Sequence, residues 1–139
     1  MYVAQPIEWT DQGVVMLDQR QLPAKEVSYT YTDYQGVAKA IREMVIRGAP
    51  AIGVAAAMGV AIGVLKSPAK SVEELTKEFP EICETLAKTR PTAVDLFWAL
   101  ERMKRRFASL VASNADLAAI RKAMVAEAKA VHEEKLATD

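Results

Sequence analysis

The sequence has very little cysteine and histidine, with one residue of each in 139. A single thiol, Cys83, excludes an internal disulfide. The spacing of cysteine, histidine and carboxylate residues matches no metal-ligand pattern, so we expect neither a metal nor another cofactor. A lone thiol without a secretory signal favours a reducing, cytoplasmic location.

The chain also lacks an excess of charge of either sign, because 18 lysine and arginine residues balance 18 aspartate and glutamate residues. This balance gives no general reason to expect nucleic acid or an acidic membrane as a partner. Residues 49–65 form an uncharged run, yet the run is short of the ~20 residues that span a bilayer. It consists mostly of alanine, glycine and valine, so we expect a helix buried on all sides rather than a membrane span.

Short strands are predicted in the first part of the chain. Residues 7–10 and 14–17 surround an Asp-Gln-Gly turn, which is typical of a hairpin. Residues 26–32 alternate between polar and apolar side chains, which indicates a third, half-buried strand. Three short strands are not stable alone, so helices must cover one face of this sheet.

From Asp33 onward the apolar spacing becomes helical. The predicted helices cover about 33–46, 50–65, 71–89 with a kink or break at Pro80, a fourth from about Thr92, and a fifth capped at Ser113-Asn114. The sequence therefore predicts one α+β domain over residues 1–139. An antiparallel three-stranded sheet, in about residues 1–32, is followed by a helical bundle in about residues 33–139.

A candidate anion site lies between the first two helices, at Arg47-Gly48-Ala49-Pro50. A helix start offers unpaired amides and a partial positive charge, so it binds anions readily. Glycine lets a ligand approach the backbone, and arginine can donate two hydrogen bonds to a phosphate. The alternative is a tight helix–helix turn that carries an exposed arginine.

A second stretch follows the same logic at the fourth helix. Arg90-Pro91-Thr92 combines an arginine, a proline and a threonine that we expect to cap the helix. If both helix starts face one cleft, Arg47 and Arg90 can share one anion. Taken alone, Arg90 is also compatible with a surface arginine near a helix end.

The segments 18–23 (DQRQLP), 41–53, 90–94 (RPTAV) and 96–100 (LFWAL) together resemble one protein family. That family contains methylthioribose-1-phosphate isomerase, ribose-1,5-bisphosphate isomerase and regulatory subunits of a translation-initiation exchange factor. The resemblance covers nearly the whole chain. The glycine–alanine–proline turn is shared across the family, whereas the DQR and RPTAV segments point to the methylthioribose-1-phosphate isomerase branch.

The resemblance implies that Arg47, Gly48, Ala49 and Arg90 bind a phosphorylated sugar. It also implies a longer protein, in which a carboxy-terminal Rossmann-like domain supplies a catalytic cysteine and aspartate. No residue here matches that pair, so no catalytic residue is assigned. One departure is Asp95, where the family often has asparagine. A carboxylate there is expected to weaken phosphate binding near Arg90.

The resemblance therefore implies the substrate-binding domain of an aldose–ketose isomerase that converts 5-methylthioribose 1-phosphate to 5-methylthioribulose 1-phosphate in methionine salvage. We expect this chain to be inactive alone and to expose an apolar surface where the missing domain docks. Such a surface also favours association, so a homo-oligomer is expected. The alternative is a non-catalytic regulatory module like the exchange-factor subunits, which senses a phosphorylated metabolite or binds a partner.

The remaining candidates are given structural interpretations. Cys83 lies within an amphipathic helical pattern and is expected to be a buried thiol. His132, the only histidine, has no partner at a useful helical spacing and is expected to be a solvated surface residue. The basic cluster at residues 102–106 is expected to form a solvated helix face.

Overall fold

The computed structural model describes residues 6–136, which begin with a small antiparallel sheet. Its strands are β1 (Ile7–Thr10), β2 (Gly13–Leu17) and β3 (Ser28–Tyr31), in the order β1-β2-β3. Gly13 closes the hairpin opposite Thr10 at a φ of +144°, and a Cβ atom there would collide with the carbonyl oxygen of Tyr31. The predicted hairpin and the existence of a third strand are confirmed. The expected half-burial of that strand is wrong, because Ser28, Tyr29 and Thr30 are exposed and only Tyr31 is partly buried.

Five helices follow the sheet, so the predicted α+β class is confirmed. They are α1 (Tyr34–Arg42), α2 (Ala49–Lys66), α3 (Val72–Ala87), α4 (Val94–Ala112) and α5 (Leu117–Lys135). A short 3-10 turn (Gln19–Gln21) connects β2 to the segment that leads into β3.

Helix α2 is the centre of the domain. It contacts the other four helices and both β1 and β2, and its residues 51–64 are all buried. Among the described helices it alone is long and apolar enough to cross a membrane by length and composition, with a mean hydropathy of 1.7. Its burial on all sides confirms the predicted core helix. Gly59 and Gly63 let Leu86 and Ile82 of α3 pack directly onto its backbone.

Helix α1 ends earlier than the sequence predicts, at Arg42 instead of about Ile46. Met44 adopts a left-handed conformation with a φ of +64°, and its amide donates to the carbonyl of Ile41. The amide of Val45 donates to the carbonyl of Ala40, which completes a Schellman ending. The apolar pair at residues 45–46 continues the helical spacing but belongs to a loop, which is why the pattern misplaced the boundary.

Two further predicted boundaries were wrong, and of the kink or break predicted at Pro80 the break is absent. Helix α3 continues through Pro80. Because proline has no amide hydrogen, the carbonyl of Thr76 lacks its helical donor. Both residues are exposed, so water can bind to that carbonyl instead. Helix α4 begins at Val94 with Ala93 as its cap residue, so Thr92 is not the cap. Helix α5 is capped by Asp116, whereas Asn114 ends α4 at a φ of +60°.

Candidate anion-binding site

The five helices begin in two different ways. Asp33, Ser71 and Asp116 cap α1, α3 and α5, each accepting a hydrogen bond from a first-turn amide at 2.6, 3.1 and 2.8 Å respectively. Helices α2 and α4 have Gly48 and Ala93 at their cap positions, and no side chain among the described residues caps either start. The first amides of these two helices are therefore left available to a ligand.

The start of α2 is open to solvent. Arg47, Gly48 and Ala49 are exposed, and Gly48 has a φ of +95°, which a residue with a Cβ rarely adopts. Apart from Gly48 and its two chain neighbours, no heavy atom of the described residues lies within 4 Å of the position that a Cβ on Gly48 would occupy. Pro50 in the first turn has no amide to donate. The amides at residues 48, 49 and 51 are thus the donors of this helix start.

The start of α4 carries a partly buried arginine. Arg90 is half-buried, and its Nη1 atom is buried without a hydrogen-bond partner within residues 6–136. The chain turns there, because the amide of Ala93 donates to the carbonyl of Arg90 at 3.0 Å. A buried guanidinium nitrogen without an acceptor is costly, which makes this nitrogen a candidate donor to a ligand.

The two open helix starts lie against one another. A Cβ atom on Gly53, in the second turn of α2, would stand 3.1 Å from the carbonyl oxygen of Asp95, in the first turn of α4. Asp95 is the one acidic residue in either of these first turns. The fold therefore brings together the two stretches that the sequence singled out. Whether the guanidinium groups of Arg47 and Arg90 share one anion stays a prediction.

An exposed apolar strip borders the same end of α4. Val94 is 78% exposed, and Phe97 and Trp98 follow it at helical spacing with 38% and 37% exposure. The Nζ atom of Lys135, in the last turn of α5, lies 4.3 Å from the centre of the Trp98 ring. The end of α5 thus reaches the end of the bundle at which α2 and α4 begin.

The lone thiol has no sign of reactivity. Cys83 is buried in α3 next to the stacked rings of Phe79 and Phe107, whose centres are 3.9 Å apart. Burial raises the pKa of the Cys83 thiol to about 11. The prediction of a buried thiol is confirmed. With this pKa the thiol remains protonated at neutral pH, so it is a poor nucleophile.

The prediction of a solvated His132 needs correction. The prediction of a solvated basic cluster is confirmed for Lys104, Arg105 and Arg106 but not for Arg102. His132 is half-buried, its Nε2 atom has no hydrogen-bond partner in the described part of the chain, and burial lowers its pKa. Arg102 lies between α4 and α5 and forms ion pairs of 2.7 Å with Glu127 and with Glu134. Arg102 lies in α4 and His132 in α5, and the burial of each depends on tertiary contacts that helical spacing alone does not predict.

The absence of a side-chain cap on α4 was not predicted, although the residue at the cap position indicates it. Alanine occupies the cap position there, whereas the capped helices have aspartate or serine. It also missed that Asp18 is completely buried and paired with Arg20. That pair is local in sequence, but its burial depends on the loop that leads into α2.

Residues 45–139 match the protein family described as the Initiation factor 2 subunit family. The chain is 51% identical over 137 residues to a methylthioribose-1-phosphate isomerase of Koribacter versatilis. Its fold is similar to the crystal structure of 5-methylthioribose 1-phosphate isomerase from Pyrococcus horikoshii OT3, with a TM-score of 0.89 and 39% identity over 95% of the chain. It is also similar to translation initiation factor eIF-2B subunit delta from A. fulgidus, with a TM-score of 0.84 and 30% identity over 95% of the chain.

The chain is much shorter than these proteins. The match includes 99% of this chain but only 38% of the Koribacter versatilis relative. This chain covers 36% of the Pyrococcus horikoshii chain and 37% of the A. fulgidus chain. The similarity thus describes one region of a longer type of protein.

Proposed function

Because the chain belongs to the Initiation factor 2 subunit family, we propose that it is the sugar-phosphate-binding part of a methylthioribose-1-phosphate isomerase. The observation that supports this most directly is the pair of adjacent, uncapped helix starts, each preceded by an arginine. The similarity to methylthioribose-1-phosphate isomerases supports the substrate class, and the geometry of the two helix starts supports the proposed place of binding.

The proposed phosphate contacts use both helix starts. Arg47 and Arg90 supply guanidinium donors, and Gly48 and Ala49 supply exposed backbone amides. The macrodipoles of α2 and α4 both present their positive ends to the anion. A dianionic phosphate ester would thereby satisfy the buried Nη1 atom of Arg90 together with the free amides.

The chemistry of the whole protein is a proposal about a longer chain. A phosphate on C1 blocks the ordinary opening of the sugar to an aldehyde, so a general acid must open the ring while hydrogen moves from C2 to C1. We assign that step to residues outside this chain and assign binding and orientation to this domain. We also propose a cytoplasmic homo-oligomer that takes part in methionine salvage and biosynthesis.

Calorimetric titration of the 139-residue chain with 5-methylthioribose 1-phosphate tests the binding site. Arg47→Ala or Arg90→Ala should weaken binding about ten- to a hundredfold, because a charge-assisted contact contributes ~1.5–3 kcal/mol. The matched control is Arg105→Ala, which removes an exposed arginine from the middle of α4. Unphosphorylated 5-methylthioribose should bind weakly and equally to all four proteins.

Equal affinities for Arg47→Ala, Arg90→Ala and Arg105→Ala would contradict this site. The purified chain should also give no 5-methylthioribulose 1-phosphate above background, because binding alone does not move a proton. Turnover by the isolated chain would show that the catalytic groups lie within these residues.

The second candidate function is a regulatory module. Its support is the similarity to the eIF-2B delta subunit, which covers 95% of the chain, as does the similarity to the isomerase. The two candidates share the anion site but differ in catalysis. Assay of the full-length gene product decides between them, since an asparagine–alanine–glycine loop with a cysteine beyond residue 139 and measurable turnover would favour the enzyme.

A further inference from the structure

The segment Asp18-Gln19-Arg20 forms a partly buried turn that is held by its own hydrogen bonds. The Asp18 side chain is completely buried and accepts hydrogen bonds from the backbone amide of Arg20 at 2.9 Å and from its Nε and Nη2 atoms at 2.9 and 2.8 Å. The amide of Asp18 donates to the carbonyl of Val27 at 2.6 Å. Such a forked, charge-assisted pair fixes both side chains in one orientation.

This turn is bonded to the loop that leads into α2. The amide of Gln19 donates to the carbonyl of Val45 at 2.8 Å. The Nη1 atom of Arg20, which Asp18 does not use, lies 3.9 Å from a carboxylate oxygen of Glu43. The turn therefore contacts the loop through its backbone and through a side chain, just before Arg47 and Gly48.

The loop itself needs external support. Met44 is held at a φ of +64°, a conformation that is costly for a side chain with a Cβ. Val45 and Ile46 are buried, whereas Arg47 and Gly48 are exposed to solvent. The exposed part has no side-chain hydrogen bond among the described residues that would fix it. Its orientation thus depends on how firmly residues 43–46 are held.

We propose that Asp18, Gln19 and Arg20 are positioning residues that hold loop 43–48 so that Arg47 and the Gly48 and Ala49 amides face the anion. This inference rests on the proposed function of that site. A site that is preformed binds without the cost of ordering the loop, whereas a loop that is competent a tenth of the time binds about tenfold more weakly.

The test compares Asp18→Asn with Ser71→Ala in the 139-residue chain, using 5-methylthioribose 1-phosphate as the ligand. Asp18→Asn keeps the shape of the side chain but weakens the fork to Arg20. Ser71→Ala removes the cap of α3 and so lowers stability away from the site. Affinity is measured where circular dichroism shows each protein to be folded, and amide hydrogen exchange is followed for residues 44–49.

Asp18→Asn should weaken binding about tenfold, from the population argument above, and should speed exchange at residues 44–49. Ser71→Ala should leave both measurements at their wild-type values. If Asp18→Asn does not fold, Arg20→Gln takes its place, because the Arg20 side chain is 43% exposed.

Wild-type affinity in a folded Asp18→Asn or Arg20→Gln protein would overturn the positioning role and leave the proposed site intact. Equal losses in Ser71→Ala would also overturn it, because the effect would then be one of general stability. An absence of binding by the wild-type chain would overturn the proposed site and this inference together.

Discussion

The two ends of helix α2 are treated in opposite ways by the fold. At the carbonyl end, Arg121 of α5 donates to the backbone oxygens of Val64, Ser67 and Ala69 at 3.2, 2.8 and 3.0 Å. At the amide end, Gly48 provides no side-chain cap, and the flanking residues Arg47 and Ala49 are exposed. One side chain from a distant helix closes the first end, while the second end is left open.

The absence of a side-chain cap at the open end is not a general feature of the helices in this chain. Helices α1, α3 and α5 all have side-chain caps, and a cap contributes about 1 kcal/mol. The two helices without caps are the ones whose starts meet at Gly53 and Asp95. The stabilising side-chain caps are thus absent at the place where an anion can supply the missing hydrogen bonds.

The largest expected effect is at the closed end. Arg121→Ala should lower the free energy of unfolding by about 2–4 kcal/mol, because it removes a charged donor from three carbonyls. Arg121→Lys is the control and should recover part of the loss, since lysine keeps the charge but not the planar fork. Urea denaturation measures the free energy of unfolding of both variants. A loss below about 0.5 kcal/mol for Arg121→Ala, which is typical of neutral surface substitutions, would contradict a stabilising role of Arg121 at this helix end.

Ala93→Ser should close the open end of α4. Ala93 has an extended backbone, with φ −81° and ψ 106°, from which a serine hydroxyl can accept from a first-turn amide. The change should raise the free energy of unfolding by about 1 kcal/mol. It should also weaken binding of 5-methylthioribose 1-phosphate about two- to fivefold, because one amide is no longer free.

Denaturation and calorimetric titration of the same Ala93→Ser preparation check both parts of this prediction. Ala93→Val is a suitable control, because valine adds volume without an acceptor. A gain in stability with no loss of affinity would show that these amides do not contact the ligand.

Asp95→Asn should strengthen anion binding at the open end of the bundle, where α2 and α4 begin. Removal of the one acidic side chain from the first turn of α4 should strengthen anion binding about two- to fivefold, from an exposed charge interaction of ~0.2–1 kcal/mol. It should cost about 0.5 kcal/mol of stability, because an acid favours a helix start. Calorimetric titration at two salt concentrations measures the change, which should shrink at the higher concentration.

The smallest expected change is the pH response of the single group His132. Burial lowers the pKa of His132 below its ordinary value of 6.5, and Glu8 and Glu133 oppose this only in part. The unfolded chain then binds more protons than the folded chain, so stability should fall as the pH drops below about 6.5, toward the lowered pKa. Unfolding measurements at pH 7.5 and pH 5.5 should show this fall in the wild type and less of it in His132→Gln.

The sheet and the core helix were predictable because their signals are local. The glycine turn at Gly13 and the alternation in β3 specify a hairpin and a strand, and the uncharged run of α2 specifies burial. Helix ends were less predictable, because Met44 adopts a left-handed turn without being glycine. Nothing near Arg121 in sequence reveals its acceptors, since the carbonyl of Val64 is 57 residues away.

The candidate site was predictable in part for the same reason. An arginine and a proline close to a helix start mark each half of the site locally, and Gly48 marks the first half. Their proximity follows from the contact between Gly53 and Asp95, which depends on the packing of α2 against α4. The positioning turn at Asp18 could not be predicted without the loop at Val45, whose carbonyl accepts from the amide of Gln19 far from it in sequence.

The most direct measurement is an amide-resolved NMR titration of the chain with 5-methylthioribose 1-phosphate. The largest shifts should occur together at Gly48, Ala49, Val94 and Asp95, with the same apparent affinity, while the amides around Arg121 remain unchanged. Shifts confined to one helix start, or concentrated near Arg121, would contradict a single anion site at the open end of the bundle.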